Sequence, residues 1–595
     1  MSRLKSEDLT FHSLKAISPI DGRHRVLTAK LSEWFSEYAY HKYRIYLEVE
    51  YLIALSENKE FESVRELTAT EKDFLRKIVE EFSLEDAQII QNIDMFGYNG
   101  LGPTNHDFKA CEYFLKMQME KSSLKDLLEM VHFGLTTEDA NNVAYSCKIR
   151  GALKNHYVPA MVELLNMLEE LCTAEKNTPM LSKTHGQPAT PTTFGKEMAN
   201  YLERLRKELE FLIGMKLPAK VNGAVGNHAA QQFSAPEVNW LEFTQKFISD
   251  LGFEPNLFTT QIEHHDGYTR LFSCLISINN ILRDLATNLW LYTSDGYIIQ
   301  KKIAHEVGSS TMPHKINPWR VEVAEGQTVE ANYKLMGFIQ KLQVSRYQRD
   351  LSDHEAERAI GVGITHSYLA VVHIVQELGR FTVNKQKMLD NLTSMGSVLT
   401  EAIQTLLRKE GYEKPYELMK DFSRGKHFTV AELHQFIDAM QIMDATKTKL
   451  KSLRPEEYVG LSSRLTELAI RKWQKFKDDN ELTKPQIEGV VINCTIMNSS
   501  LVEEIKYVVP ELMKKGMGVF GICSDTELES TFEKVLVNPA DEISRNMIYV
   551  GVYDQTFKQL QQKGVTCVNL EQLSTYKAEY NIYRLKEIID LIKLF

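Results

Sequence analysis

Apolar side chains recur every three or four residues through long stretches in the middle of the chain. Between 194 and 213 such a stripe begins with Phe194 and Met198, and charged side chains occupy the opposite face. This period predicts an amphipathic helix with one packed face. The segments 158–172 and 271–291 repeat the pattern. Such stripes are typical of a helical core and not of a cofactor site, so we expect the long helices to form a bundle.

The pattern changes in roughly the last fifth of the chain. Helical segments such as 500–515 and 554–563 alternate there with short apolar runs. This alternation is typical of a βαβ domain with a parallel sheet. A charged stretch, 471–479, precedes it and either finishes a helix or forms a linker. The apolar runs cover residues 489–493, 518–523, 547–551 and 565–569.

Length and composition indicate a large globular protein. With 595 residues, the chain is long enough for three or four domains, and its 43% hydrophobic and 25% charged residues are ordinary globular usage. The net charge of -10 argues against a nucleic-acid or membrane surface, so an anionic substrate requires a local cationic pocket.

The cysteines and the N-terminus indicate a cytoplasmic protein. The 7 cysteines are scattered, without a CxxC pair or the histidine spacing of a zinc site. The N-terminus lacks the apolar run of a signal peptide, and no segment approaches the ~20 apolar residues of a membrane span. We therefore expect reduced thiols, no metal and no cofactor.

One loop carries groups suited to proton removal beside a carboxylate. Residues 308–318 read Gly-Ser-Ser-Thr-Met-Pro-His-Lys-Ile-Asn-Pro, in which Gly308 and Pro313 favour a loop over a helix. The loop holds two adjacent hydroxyls together with Lys315 and Asn317. A proton α to a carboxylate is weakly acidic, and its removal requires preorganised cations and amide donors for the charge that develops. The alternative is a surface loop with a chance lysine.

The same loop resembles the Gly-Ser-Ser-x-x-Pro-x-Lys-x-Asn signature of the fumarase/aspartase superfamily, whose members release fumarate by β-elimination across a C–N or C–O bond. Further segments in the same order resemble the adenylosuccinate lyase family within it. They are Ala-Ile-Ser-Pro-Ile-Asp-Gly-Arg at 16–23, Thr-Asn-His-Asp at 104–107, His-Phe-Gly-Leu-Thr-Thr-Glu-Asp at 132–139, Lys-Thr-His-Gly-Gln-Pro-Ala-Thr-Pro at 183–191, Thr-Thr-Gln-Ile-Glu at 259–263, Ser-Arg-Tyr-Gln-Arg-Asp-Leu at 345–351 and Tyr-Val-Gly at 458–460.

The resemblance implies a mainly α fold: a fumarase/aspartase-type long-helix bundle with three helical regions, here followed by a C-terminal α/β parallel-sheet domain. The expected domains are 1–125, 126–385 and 386–470 for the lyase regions and 480–595 for the accessory domain. In this superfamily the bundles of four subunits combine into a twenty-helix core. The implied assembly is a homotetramer with active sites shared among three chains.

Catalytic roles follow from the resemblance residue by residue. Ser309 matches the general base, and His185 matches the general acid that protonates the departing nitrogen. His106, between Asn105 and Asp107, matches a histidine that contacts substrate and helps to set proton positions. The positions that hold the succinyl carboxylates and nearby polar atoms are Thr136, Thr137, Gln261, Ser310, Lys315 and Asn317.

Arg23, Arg349 and Arg358 match cationic positions associated with the nucleotide, and guanidinium groups suit phosphate oxygens. The implied reaction releases fumarate from adenylosuccinate to give AMP, and a second family reaction on a succinyl-carboxamide ribonucleotide stays open. The chain departs from the family at several positions around these arginines. They are His24 in place of tyrosine, His354 and Glu355 in place of small hydroxyl residues, Val323 in place of asparagine and His305 in place of glycine.

The departures affect the nucleotide side more than the elimination groups. We retain His24 and His354 as candidate substrate contacts, with His354 as a hydrogen-bond donor. Glu355 beside a phosphate would be repulsive unless it turned away or paired with an arginine. Two alternatives stay open: a lyase that releases fumarate from another succinyl-amine, and a non-catalytic scaffold.

The layout of the accessory domain resembles a haloacid-dehalogenase-type fold. Asn493 and Thr495 stand at the positions of its nucleophilic aspartate and its acid, and Val552 stands at a metal-holding aspartate. An amide is not a phosphoryl nucleophile, and a site without carboxylates would bind Mg²⁺ poorly. We expect no catalysis here but a role in assembly or regulation. An unrelated doubly wound domain is the alternative.

Overall fold

The computed structural model describes residues 12–303, 306–308, 310–426 and 428–482, together with five short strands beyond them. The chain divides into two compact units, Met1–Gln474 and Lys475–Phe595. The division falls between the expected lyase regions and the expected accessory domain. The finer division of the first unit into three regions stays a prediction.

The N-terminal part of the first unit consists of short helices around one long, buried helix. Side-chain caps fix two of the helix starts: the Thr68 and Ser83 hydroxyls each accept from a backbone N–H three residues on, and the carboxylates of Glu71 and Asp86 accept in return. The helices are α1 (Arg25–Thr28), α2 (Glu37–Glu57), α3 (Ala69–Glu80), α4 (Leu84–Met95) and α5 (Asp107–Met119).

The central part contains the long helices that the apolar periods predict. The three segments predicted as amphipathic helices lie within α7, α8 and α11, and most residues of their apolar stripes are buried, which confirms the prediction. The elements are α6 (Thr137–Ala152), α7 (Val158–Glu175), β1 (Pro179–Thr184), β2 (Gln187–Thr193), α8 (Phe194–Gly214), β3 (Pro218–Ala219), α9 (Ala229–Ser234), α10 (Trp240–Asp250), β4 (Glu254–Pro255), α11 (Asp266–Ser294), β5 (Ile298–Gln300), α12 (Trp319–Leu342), α13 (Ser352–Arg358), α14 (Ile360–Leu378) and β6 (Phe381–Val383).

Contacts at both ends show that neighbouring long helices run antiparallel. Trp290, near the end of α11, donates to Glu322 at the start of α12, at 3.0 Å. Gln343, just after α12, donates to Asp266 at the start of α11, at 2.6 Å. The bundle therefore has two distinct ends. We call the end with the start of α11 the α11-start end, and the other the α11-finish end.

Short helices after the bundle form a core of their own around residues such as Leu399, Ile403 and Leu433. The last helix of the unit then packs against α7, where the Trp473 indole donates to Asn166 at 3.2 Å. The charged stretch 471–479 therefore finishes a helix. The helices are α15 (Lys385–Thr393), α16 (Thr400–Lys409), α17 (Pro415–Ser423), α18 (Val430–Ala439), α19 (Asp444–Lys451) and α20 (Ser462–Asp479).

One helical stretch in the described part of the chain, Ser352–Leu378, is long and apolar enough to cross a membrane. Within the protein, 72% of its apolar window is buried. Its apolar side chains therefore have partners in the bundle, as expected of a core helix.

Five strands of the second unit pair in parallel, in the order β11-β10-β7-β8-β9. Four coincide with the predicted apolar runs, and the short β9 was not predicted. The helical segments predicted between them lie outside the described residues, as do Thr495 and Val552, so the α/β assignment stays a prediction. The strands are β7 (Gly489–Asn493), β8 (Gly518–Ile522), β9 (Lys534–Val535), β10 (Met547–Gly551) and β11 (Thr566–Asn569).

Candidate functional site

A buried carboxylate fixes the start of α6 at the α11-start end. Asp139 accepts from the backbone N–H of Thr136 at 2.9 Å and from those of Asn222 and Gly223 at 3.1 and 3.0 Å. Asp139 also forms an ion pair with the Lys220 ammonium at 3.0 Å, and both side chains are fully buried. This network sets the position of Thr136 and of the adjoining threonine at the first turn of α6.

Gln261 and Arg349 join this group through the same network. The Lys220 ammonium donates to the Gln261 carbonyl at 2.6 Å, and Arg349 donates to the Gln261 side-chain oxygen at 3.3 Å. Arg349 also pairs with the buried Glu138 at 2.7 Å. The structure therefore brings together four residues predicted from three separate motifs: Thr136, Thr137, Gln261 and Arg349.

A buried ionic network surrounds Glu138, the carboxylate that pairs with Arg349. His265 and Glu357 lie 2.8 Å apart, and the hydrogen bond and charge of Glu357 overcome burial and raise the pKa of His265 to about 9. Burial and the nearby Glu357 raise the pKa of Glu138 to about 7, against the effect of Arg349. Arg349 is therefore fixed by a buried carboxylate, Glu138, which itself accepts a hydrogen bond from Asn141.

Asp107 is the centre of a second group. Its carboxylate lies 3.0 Å from the fully buried Arg44 and 2.7 Å from Arg358. Burial opposes ionisation, but the two arginines lower the pKa of Asp107 to about 2. Arg358 also pairs with Glu37 at 2.6 Å. The candidate nucleotide arginine is therefore already engaged by two carboxylates.

His106 and Asn105 lie at the exposed start of α5. The His106 Nδ1 accepts from the Lys109 N–H at 3.2 Å and so caps the helix. In a neutral imidazole this leaves the ring hydrogen on Nε2, where it is available as a donor. Asn105 adopts a left-handed backbone conformation, with φ of 48°.

The two substituted positions beside Arg358 differ in their surroundings. His354 faces the Tyr40 ring, with ring centroids 6.4 Å apart, and burial and Arg358 lower the pKa of His354 below its ordinary value. The imidazole is therefore neutral at neutral pH and supplies no added charge. Glu355 is exposed and forms no ion pair with the described residues.

His24 faces the bundle and not the arginine group. Gln327 of α12 donates to His24 Nε2 at 3.2 Å, and the histidine ring packs edge-on against His373 with centroids 5.9 Å apart. Burial and the adjacent Arg23 lower the pKa of His24. Arg23 itself is exposed and makes no hydrogen bond or ion pair with the described residues.

His185 lies at the tip of a hairpin at the α11-finish end. The positive φ values of His185 and Gly186, 52° and 72°, form the two-residue turn that suits the twist of β1 and β2. Lys183 pairs with Asp295 at 2.6 Å and fastens the hairpin to the last turn of α11. The histidine is exposed, as a side chain presented to another surface would be.

The signature loop lies before α12, at the same end. The Asn317 side chain donates to the Gly308 carbonyl at 2.7 Å and closes the loop. A Cβ on Gly308 would lie 2.0 Å from the Lys315 carbonyl oxygen, so this approach requires glycine. Ser310 and Lys315 are exposed. The predicted base Ser309 and the substituted His305 lie outside the described residues.

Comparisons with known proteins give the family. Residues 22–331 match the family described as Lyase, and residues 345–459 match that described as Adenylosuccinate lyase C-terminal. Adenylosuccinate lyase from Buchnera aphidicola (Schizaphis graminum) is 40% identical over 77% of this chain and 99% of its own. That from Escherichia coli K12 is 39% identical over 75% and 97%. The chain belongs to the adenylosuccinate lyase family.

Solved structures confirm the predicted fumarase/aspartase-type fold of this family member. The fumarate lyase from Mesorhizobium sp. BNC1 aligns with a TM-score of 0.59 at 17% identity, over 74% of this chain and 97% of its own. The 3-carboxy-cis,cis-muconate lactonizing enzyme from Pseudomonas putida gives 0.58 at 18% identity, over 76% and 98%. At these identities the likeness establishes the fold alone. The family matches end at residue 459, so the haloacid-dehalogenase resemblance of the accessory domain has no support.

The candidate residues of this family member fall into sets at opposite ends of the bundle. Gln261 precedes the first residue of α11, and the hairpin of His185 is fastened to the last turn of that helix. At a rise of about 1.5 Å per residue, the 29 residues of α11 span roughly 43 Å. One chain therefore does not bring His185 together with Gln261 and Arg349.

Several charged residues of the site were missed by sequence reasoning. Glu138 and Asp139 stand in a quoted motif, and their acidic side chains were the available signal. Nothing in the local sequence singles out Arg44, Lys220 or His265, because their importance comes from partners far along the chain.

Proposed function

We propose that this protein is an adenylosuccinate lyase of purine nucleotide synthesis, acting in the cytoplasm, which eliminates fumarate from adenylosuccinate and leaves AMP. The observation that carries the proposal is the match of about 40% identity along nearly the whole length of named adenylosuccinate lyases. The intact elimination residues of both bundle ends support it.

In the proposed reaction, Ser309 removes the proton from the carbon next to a carboxylate of the succinyl group. The electron pair of that C–H bond forms the double bond of fumarate as the C–N bond breaks. His185 protonates the nitrogen, which remains on the purine. Lys315 and Asn317 stabilise the carboxylate while charge develops on it.

We further propose that the site is completed between chains of a homotetramer. His185 and the signature loop lie at one end of the bundle, and Thr136, Gln261 and Arg349 lie at the other. An antiparallel neighbour would place one end of its bundle beside the opposite end of this one. The exposure of His185 and Lys315 supports this arrangement.

A lyase acting on another succinyl-amine is the second candidate. The specific observation in its favour is that His24, which replaces a tyrosine, contacts Gln327 and His373 in the bundle and not the arginine group. A non-catalytic scaffold would require loss of turnover despite the retained His185, Lys315 and Asn317.

The deciding experiment is incubation of the purified protein with adenylosuccinate while fumarate and AMP are measured. We expect equimolar fumarate and AMP. Fumarate release from the succinyl-carboxamide ribonucleotide would extend the function to the second reaction. A stable tetramer that releases no fumarate from either compound would contradict the proposed function.

A further inference from the structure

A cavity of about 930 Å³ opens beside α2, α6 and the junction of α13 and α14. It is large enough for a nucleotide-sized ligand. Arg358 lines it, as do Asp21 and Arg25, which flank the candidate Arg23. Tyr40, against which His354 packs, forms another part of its wall. Arg358 therefore lines a cavity whose wall also includes two neighbours of Arg23 and the aromatic ring that His354 faces.

Lys148 of α6 also lines this cavity and has no role in the site described so far. Its side chain is almost wholly buried, with 7% of the residue exposed. The ammonium nitrogen lies 4.6 Å from the centre of the Tyr40 ring and 4.8 Å from that of Tyr145. It forms no hydrogen bond or ion pair with any described residue. Two aromatic faces thus hold a buried cation whose charge no carboxylate in contact offsets.

The other cations around the cavity are already paired. Arg358 contacts Glu37 and Asp107, and Arg44 contacts Asp107 from the other side. An anion that approached these arginines would meet their carboxylate partners as well. The Lys148 ammonium has no carboxylate in contact, and Glu37 and Glu357, which line the same cavity, act on its charge only at longer range. A buried ionised group is costly unless it is paired, so an anionic ligand would complete its coordination.

We propose that Lys148, together with Arg358, binds the phosphate group of the nucleotide in this cavity. This inference rests on the proposed function, because that function makes the ligand a nucleotide monophosphate. Lys148 lies on the same helix as Thr137, 11 residues further on, which is roughly 17 Å along the helix axis. A succinyl-bearing nucleotide in extended conformation can bridge the two positions, with its carboxylates at the start of α6 and its phosphate at Lys148.

The free and bound states differ in the protonation of Lys148. Burial, with smaller contributions from Arg44 and Arg358, lowers the pKa of Lys148 to about 7 against the opposing charges of Glu37 and Glu357. A phosphate dianion favours the ammonium and raises this pKa in the complex. Nucleotide binding therefore takes up a proton near and above pH 7, and affinity falls as pH rises through the pKa of the complex. The charged or titratable groups facing Lys148 are Glu37, Tyr40, Arg44, Tyr145, Glu357 and Arg358.

Calorimetry of AMP binding in buffers of different ionisation enthalpy tests the inference directly. We expect the unmodified protein to take up protons on binding AMP near pH 7.5. Lys148→Met should bind AMP about 10- to 100-fold more weakly, as expected for loss of one charge-assisted contact, and should lack this proton uptake. Adenosine, which has no phosphate, should bind the two proteins equally. Lys246→Met, which removes an exposed lysine paired with Asp250, is the matched control and should change neither result.

Further measurements distinguish a loss of AMP binding from a loss of folding in the Lys148 variants. Methionine suits the aromatic surroundings of position 148, so we expect an unchanged thermal midpoint. Lys148→Arg keeps the charge without the titration, and it should bind AMP without the proton uptake. Unchanged AMP affinity in a folded Lys148→Met, or equal losses for AMP and adenosine, would overturn the inference. Because AMP binding is measured without turnover, a protein that binds AMP through Lys148 but releases no fumarate would contradict the proposed function alone.

Discussion

At the scale of single residues, the site is built from charges that are already paired within the chain. Arg349 is held by Glu138, and Arg358 by Asp107 and Glu37. Each ion pair fixes an arginine in position but offsets part of its charge. A substrate anion therefore depends on the few charged groups that are left without a carboxylate.

Replacement of Ser309 by alanine tests the proposed base. Ser309 is the group assigned to take the carbon proton, and loss of one essential group commonly lowers turnover ~10³-fold or more. We expect Ser309→Ala to lose fumarate release by that order while it still binds adenylosuccinate. Ser310→Ala, one residue on, should weaken binding with a smaller effect on turnover. Near-normal turnover in Ser309→Ala would assign the base to another residue.

His354 and Lys148 make opposite predictions for pH. Burial and Arg358 lower the pKa of His354. The imidazole is therefore neutral throughout the range above the ordinary pKa of histidine, and it gains a proton only at lower pH. His354→Ser should therefore leave the slope of AMP affinity between pH 7 and 9 unchanged, as measured by calorimetry. A slope that disappeared in His354→Ser would assign the titration to His354 instead.

At the scale of elements, close approaches between helices set where glycine is required. Gly195 lies at the start of α8, where a Cβ would lie 2.6 Å from the backbone nitrogen and Cα of Lys176. These backbone atoms just after α7 cannot move away without displacing a helix. Gly214, at the other end of α8, has open space around it.

Gly195→Ala should therefore destabilise the bundle by about 1–3 kcal/mol, the usual range for overpacking, or by more if α7 must shift. Gly214→Ala is the matched control on the same helix, and it should change stability by less than about 1 kcal/mol. Thermal or urea unfolding of both variants measures the difference. Equal stabilities would mean that the two helices can separate without loss.

At the scale of the whole molecule, the candidate site residues of one chain lie at opposite ends of the bundle. His185 and Lys315 belong to the α11-finish end, whereas Gln261 and Arg349 belong to the α11-start end. Assembly is therefore part of the proposed active site and not an addition to it.

Mixing two inactive variants tests the shared site. His185→Ala and Arg349→Ala each damage one end, so each protein alone should be strongly impaired. When they are unfolded together and reassembled, some sites receive both intact ends, and we expect fumarate release to return. Two variants damaged at the same end, Arg349→Ala and Gln261→Ala, provide the control and should not complement. Recovery in neither mixture would favour a site within one chain.

The accessory domain is predicted to be dispensable for elimination. Because α20 runs to Asp479 and its Trp473 is buried against the bundle, a chain that ends at residue 482 keeps the first unit whole. It should release fumarate at a similar rate, with any change confined to assembly or regulation. A chain that ends at residue 461 lacks α20 and should be less stable. Loss of turnover in a folded tetramer ending at 482 would show that the second unit completes the site.

The sequence by itself determined the features that depend on neighbouring residues. Apolar spacing predicted α7, α8 and α11, because helix periodicity is a local property of the chain. The short apolar runs predicted four of the strands in the second unit for the same reason. Motif order predicted the family and the candidate residues. The sequence did not decide whether the charged stretch 471–479 finishes a helix or forms a linker.

Only the tertiary structure decided which of those residues act together. Asp107 meets Arg358 across 251 positions of sequence, and Arg44 reaches Asn141 across 97, so neither pairing has a local signal. The length of α11 separates His185 from Gln261, which motif order alone does not show. Lys148 was missed because a lysine within a helix is ordinarily a solvated side chain. It becomes a candidate ligand-binding group only because α2 places Tyr40 over it and a cavity opens beside it.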